Sequence, residues 1–254
     1  MSVDNVSDKS AEAAQEISEK MARARAAQQQ IANYTQAQVD ELIKGMVWSC
    51  CQPGVAEEIA KLTVEETQLG DYNGKFTKIS VKTRAALLDI INDKSVGVLE
   101  EDKARNIIKI AKPVGVVGAL SPSTNPEATP VIKSINAVKG RNAIIIAPSP
   151  KGASSCKRLV EFMHAELDRI GAPRDLVQHL PFPINKADTQ QLMREVDLVV
   201  ATGSQNNIRD AYACGSPAVG VGAGNVVSIV DETADVSAAA EKIVASKSFD
   251  NATS

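Results

Sequence analysis

The sequence predicts an α/β protein built on a doubly wound parallel sheet, with a helical N-terminal layer in front of it. Two observations carry this expectation. Beyond about residue 111, apolar runs of strand length recur, "VGVVGAL", "NAIIIAP" and "DLVVATG", as expected of strands buried on both faces. Between such runs lie amphipathic stretches of ten to twenty residues that stop at a glycine, "ASSCKRLVEFMHAELDRIG" and "SQNNIRDAYACG". Parallel strands need crossovers of that length.

The elements follow in order. Residues 1–9 are expected to be disordered, and residues 10–33, rich in helix formers of both charge signs, read as a largely exposed helix. In "TQAQVDELIKGMVWSCC" Thr35 stands as N-cap with Gln38 three residues on, and Val39, Leu42, Ile43, Met46 and Val47 fall on one helical face closed by Pro53-Gly54. "VAEEIAKLTVEET" and "VKTRAALLDIIND" add two more helices. "SVGVLEE" and "ARNIIKIA" read as a hairpin-like extension. Residues 10–110 therefore form a helical part with a strand extension, and residues 111–254 a dinucleotide-binding α/β core. Within the core, "DLVQHLP" is a strand and "KADTQQLMREV" a helix.

Composition removes several function classes. A net charge of -3 and an aromatic content of 3% offer neither a basic surface nor stacking platforms for nucleic acid. No apolar run approaches the roughly 20 residues that span a bilayer, and "MSVDNVSDKS" has no signal-peptide character, so a soluble cytoplasmic protein without membrane partners is expected. Cys50, Cys51, Cys156 and Cys214 show no metal-ligand spacing with His164 and His179, and Cys50-Cys51 reads as buried thiol packing.

Ligands of such sheets bind beyond the carboxyl ends of the strands. Three turns occupy that edge. In "ATGSQNN", Thr202, Gly203 and Ser204 run straight into a helix, so that the backbone can approach a pyrophosphate and the first helical amides and the Ser204 hydroxyl can hold its oxygens. Short Gly-Ser turns also serve as plain helix caps. "APSPKGASS" would face the adenosine ribose; it carries Ser149 and Lys151 and no acid, which favours NADP over NAD. "SPSTNPEATP" sets Thr124 and Asn125 between Pro122 and Pro126, a stiff loop whose amide could donate to an oxyanion. No GxGxxG follows the first strand.

In order, "KPVGVVGALSPSTNP", "VATGSQNNIRDAYACGSPAVGVGAGNV" and "SFDNATS" resemble the cofactor half of the aldehyde dehydrogenase superfamily, and its CoA-acylating branch in particular, from about Ala104 to Ser254. The resemblance implies a Rossmann-like cofactor domain that takes NAD or NADP, with coenzyme A as co-substrate. It implies a cysteine nucleophile immediately after Ser254, so that the chain reads as an N-terminal fragment without the catalytic domain. Cofactor contacts then fall to Pro122, Ser149, Lys151, Thr202, Gly203, Ser204 and Gly222, and the oxyanion to Asn125 or Thr124. Gly220 stands where hydrolytic relatives carry the glutamate that activates water, which leaves a thioester for the CoA thiolate. The expected aldehyde is short-chain, with sulfoacetaldehyde favoured, and the full-length enzyme is expected to be a homo-oligomer. A glutamyl phosphate reductase, and a non-catalytic nucleotide-binding or assembly module, are the rival readings.

Overall fold

The computed structural model describes residues 4–222, 224 and 226–253, with side chains from residue 14 onward. Its centre is a five-stranded parallel sheet in the order β5-β4-β3-β6-β7. The strands are β3 (Val116–Ser121), β4 (Ala143–Pro148), β5 (Val177–His179), β6 (Leu198–Thr202) and β7 (Ala218–Val221). β3 and β4 are buried along their whole length, which is why they read as unbroken apolar runs rather than alternating ones. Gly118 of β3 stands opposite Ile145 of β4 on one side and Val199 of β6 on the other.

The chain steps outward from β3 through β4 to β5, then returns to the other side of β3 for β6 and β7. That reversal places the topological switch point between β3 and its two neighbours. Helices α6 (Thr129–Lys139) and α7 (Ala153–Ile170) connect on one run, and α8 (Lys186–Glu195) and α9 (Gln205–Ala213) on the other. α2 (Gln36–Cys51) lies over α6 and α7, and α3 (Val55–Thr67) packs on α7. A further helical run comprises α4 (Tyr72–Thr77), a π turn over Lys78–Lys82 and α5 (Thr83–Ile91). β1 (Gly97–Asp102) and β2 (Ile107–Ala111) pair as an antiparallel hairpin. α10 (Val236–Ser248) leads to a short turn over Phe249–Ala252.

Local rules account for several boundaries. Thr35 caps α2 with the reciprocal Gln38 bond, a capping box. Gly171 closes α7 in the left-handed region at φ 78°. The entry to β3 is pinned by two side chains: Asn142 Oδ1 accepts from the Val114 and Gly115 amides at 2.7 and 3.1 Å, and Asp197 Oδ2 accepts from the Val116 amide at 2.8 Å. Gly115, at φ +124°, leaves room for Asp197, whose Cγ would stand 2.9 Å from a Cβ at that position.

Three differences from the sequence reading stand out. α1 (Asp4–Gln30) begins before residue 10, so residues 4–9 are helical rather than disordered; residues 1–3 lie outside the described residues. α1 is largely exposed, as read, but carries a buried seam: Ile17, Met21, Ala24 and Ala27 are covered, Ile31 just past its end is buried too, and the helix packs on α8, β3 and β4. Its apolar stripe is thin and alanine-rich, and the charged residues between its members mask it. Elements that the apolar pattern did not single out, α4, α6, β7 and α10, complete the fold. Among the described residues no helix is long and apolar enough to cross a membrane.

Ile145 is fully buried at the middle of the sheet, whereas Leu88 of α5 is 70% exposed. Ile145→Ala should cost about 2–5 kcal/mol of stability by cavity formation, and Leu88→Ala less than about 0.5 kcal/mol; urea unfolding of the two variants checks the contrast.

Candidate functional site

A cleft of about 860 Å³ opens at the carboxyl ends of β3, β4 and β6. The fold brings there the three turns read from the sequence, because parallel strands all deliver their following turn to the same edge. Pro122, Thr124 and Asn125 line it from the turn after β3, Ser149 from that after β4, and Thr202, Gly203 and Ser204 from that after β6. Gly222, just past β7, lines it as well. Lys151 is the exception: it is exposed in the turn over Pro150–Gly152 and is not among the lining residues.

The β6–α9 turn ends in a helix N-terminus that opens on the cleft. Ser204 is the N-cap of α9, its hydroxyl accepting from the Asn207 amide at 3.3 Å, and the first carbonyl bond of the helix runs from the Ile208 amide to Ser204 at 3.1 Å. That leaves the amides of Gln205 and Asn206 without a helical carbonyl to bond. Gly203 spends its own amide on the Val221 carbonyl at 3.3 Å, so its contribution is space: a Cβ there would meet only the Asn207 amide nitrogen, at 3.4 Å. Ser121, at the end of β3, has a buried hydroxyl without a hydrogen-bond partner that borders the same cleft. These features fit a dinucleotide, which needs close backbone approach and donors for its phosphates.

The other wall is stiff and polar. The Asn125 amide lies 3.4 Å from the Thr124 hydroxyl, and the Asn125 carbonyl accepts from the Thr129 amide at 3.1 Å, fixing the loop to the start of α6. Pro126 is pressed against Gly152, where a Cβ would come within 3.0 Å of the proline Cγ, so the β3–α6 and β4–α7 turns support each other. Ala252 and Thr253 close the cleft from the last described segment.

Several groups escaped the sequence reading. Glu66 of α3 reaches the first turn of α7, accepting from the Ser154 and Ser155 amides at 2.7 and 2.9 Å and from the Ser155 hydroxyl at 2.7 Å. The turn after β4 carries no acid of its own, yet one arrives from a distant helix. Lys133 of α6 donates to the Leu120 and Val200 carbonyls at 2.6 and 2.9 Å, stapling β3 to β6 at the switch point, and burial pushes its amine down to about 7. Lys186, Lys247 and Asp210 also border the cleft, Lys186 pairing with Asp210 at 3.5 Å. Gly220 packs against α9, a Cβ there falling 2.9 Å from Ile208 Cγ2 and 3.1 Å from the Tyr212 ring, and it does not line the cleft. In this backbone a glutamate at 220 would have to displace both side chains. Among the described lining residues Asp210 is the one carboxylate.

Behind Thr124 lies a buried group of four charges, Lys75, Lys78, Glu127 and Asp250. Burial raises the Glu127 carboxyl to about 7, against the pull of Lys75 and Lys78. Burial acts to raise Asp250 too, but hydrogen bonds from Lys78, the Asp71 amide and Lys75 outweigh it and hold that carboxyl below the usual range. A carboxyl whose folded pKa is raised binds more protons folded than unfolded, so its contribution to stability is present at low pH and is lost as pH rises toward 7. Glu127→Gln should therefore gain stability relative to the parent as pH increases from about 4.5 to about 7, with no further relative change above that window; urea midpoints across pH 4 to 8 check the sign.

The model of the aldehyde dehydrogenase family matches residues 2–252. Sulfoacetaldehyde dehydrogenase (acylating) of Cupriavidus necator is 50% identical over 242 residues, covering 95% of this chain and 49% of that protein. An acetylating aldehyde dehydrogenase from Geobacillus thermoglucosidasius superposes with a TM-score of 0.88 at 33% identity, over 95% of this chain and 53% of that one. An engineered glycolyl-CoA reductase with bound NADP+ superposes with a TM-score of 0.80 at 28% identity, over 92% and 53%. The chain spans about half the length of the curated relatives it matches. The turns after β3, β4 and β6 that line the cleft all fall within the matched residues, and the chain belongs to the aldehyde dehydrogenase family.

Proposed function

We propose that this chain is the dinucleotide-binding part of a CoA-acylating aldehyde dehydrogenase that converts a short-chain aldehyde, best sulfoacetaldehyde, with coenzyme A to the acyl-CoA. The observation that carries the reading is the cleft itself: a phosphate-type turn, Thr202 to Ser204, faces a rigid Thr124-Asn125 loop across the switch point. The acylating relative from Cupriavidus necator supports the substrate. When bound, the nicotinamide dinucleotide supplies the hydride acceptor.

The chain's own residues bind and orient. The α9 N-terminus and Ser204 hold pyrophosphate, Gly203 and Gly222 admit it, and Pro122 shapes the pocket floor. Thr124 or Asn125 donates to the oxygen of a sulfur adduct formed on a cysteine expected to follow Ser254. Asp210 is already paired with Lys186, so the lining carries no unpaired carboxylate among the described residues to deprotonate water, and a thioester would persist until the CoA thiolate attacks it. For the ribose, Ser149 and Lys151 flank the turn after β4; with Glu66 already seated on the α7 amides, discrimination between NADP and NAD rests on Lys151. NADP is the dinucleotide we assign, and the exposed Ile107, Ile108 and Ile110 of the β1–β2 hairpin suit self-association in a homo-oligomer.

Expressed from its complete reading frame, the protein should form equal amounts of sulfoacetyl-CoA and NADPH, and should stall after at most one equivalent of NADPH without CoA. Steady oxidation without CoA, or reduction of acyl phosphate in preference to acyl-CoA, would overturn the assignment. Lys151→Ala should raise the Kd for NADP about tenfold, near 1.4 kcal/mol, and leave that for NAD unchanged; fluorescence titration with both coenzymes reads the difference.

A further inference from the structure

Two walls of the cleft that are far apart in sequence are gripped from behind by one side chain. Lys75 of α4 is fully buried, and its ammonium donates to the Thr124 carbonyl at 2.7 Å and meets Asp250 Oδ2 at 3.0 Å. Lys78, in the π turn, also pairs with Asp250 Oδ2. Glu127 completes the group, with Oε2 3.9 Å from Lys75 and Oε1 4.0 Å from Lys78. Two cations thus face two carboxylates inside the protein, and neither oxygen of Glu127 has a hydrogen-bond partner.

The segment they hold is strained. Asp250, Asn251 and Ala252 take φ values of 53°, 51° and 58°, three successive left-handed residues of which none is glycine. Such a run persists only where its surroundings over-determine it. Here Asp250 Oδ1 accepts from the Asp71 backbone amide at 3.0 Å, Asn251 Nδ2 donates to the Gly70 carbonyl at 3.0 Å, and Phe249 lies under Lys82, 4.7 Å from the ring centre. Gly74 makes the approach possible, since a Cβ there would stand 2.6 Å from the Asp250 Cβ and 2.8 Å from its Cα. Stability alone is a poor account of the arrangement, because buried ion pairs are commonly replaced by apolar side chains at no loss. What apolar side chains could not supply is a directional tie between the Thr124 carbonyl and Asp250.

We propose that Lys75, Lys78, Glu127 and Asp250 are positioning residues, a buried four-charge clamp that sets the separation between the Thr124-Asn125 loop and residues 250–253 across the cleft. Lys75 is the shared tie, Asp250 the anchor of the strained segment, and Glu127 with Lys78 the balancing pair. The catalytic consequence rests on the reading of this cleft as the place where the aldehyde reacts; the mechanical coupling does not.

Amide hydrogen exchange separates the two. In Asp250→Asn, which keeps the side chain's shape, exchange at the amides of residues 123–125 should quicken about tenfold together with residues 249–253, while the amides of β3 and β4 stay protected. Lys75→Met should do the same; should it fail to fold, Asp250→Asn decides alone. Unchanged exchange at 123–125 in Asp250→Asn overturns the clamp. In the protein from its complete reading frame, kcat of Asp250→Asn should fall about thirtyfold with the dinucleotide Kd held within threefold. Parallel loss of dinucleotide affinity and kcat would mark simple unfolding and overturn the positioning role. Coupled exchange in a protein that oxidises no aldehyde would sustain the clamp and refute the proposed function.

Discussion

The pairing of β3 on both of its edges is the constraint from which the rest of the structure follows. Its residues bond to β4 on one side and β6 on the other, and all six of them are buried. A strand so placed cannot shift register without exposing its apolar set, so its end point is fixed. Since the chain leaves toward β4 and returns toward β6, the turns after the three strands spread apart at one edge. The cleft is the gap that this divergence leaves, and Lys133 keeps it from closing or splaying by bonding a carbonyl on each side.

At both ends of the sheet charged side chains act on the backbone or on one another, and each has a definite partner. Asp197 receives Arg25 through two bonds and holds the Val116 amide at the amino end of the sheet. Glu66 neutralises the first turn of α7. The four charges behind Thr124 balance one another. Isolated, each of the four buried charges would cost several kcal/mol to desolvate; paired, all of these groups serve as fixed points that loops alone could not provide. The polar machinery thus sits at the ends of strands, while the strands themselves carry only apolar contacts.

How far the sequence could be read divides along the same line. The strands β3, β4 and β6 and the turns after them were legible because burial on two faces leaves an uninterrupted apolar run and because Gly and Ser mark the turn into a helix. Thr35 with Gln38, and Gly171, announced their caps by local rules that act within four residues. α1 was legible as a helix but its buried seam was not, since four alanine-sized or aliphatic side chains spaced along a charged helix give little apolar contrast. The contributions of Glu66, Lys75 and Asp250 were invisible for a different reason: each acts on residues dozens to well over a hundred positions away, and no periodicity encodes such a meeting. Lys151 shows the converse. Its place in the turn after β4 was read correctly, yet an exposed side chain that does not line the cleft reaches a ligand only from the rim.

The buried seam of α1 has a consequence for how the molecule is made. Ile17 and Met21 are buried in a helix that packs on β3, β4 and α8, which leave the ribosome long after α1 has done so. Throughout that interval the helix carries an uncovered greasy seam, and contacts of such sequence separation are slow to form. That seam stays uncovered in the nascent chain until α8 has followed the strands out, so α1 takes its full seat only after elements made well downstream of it.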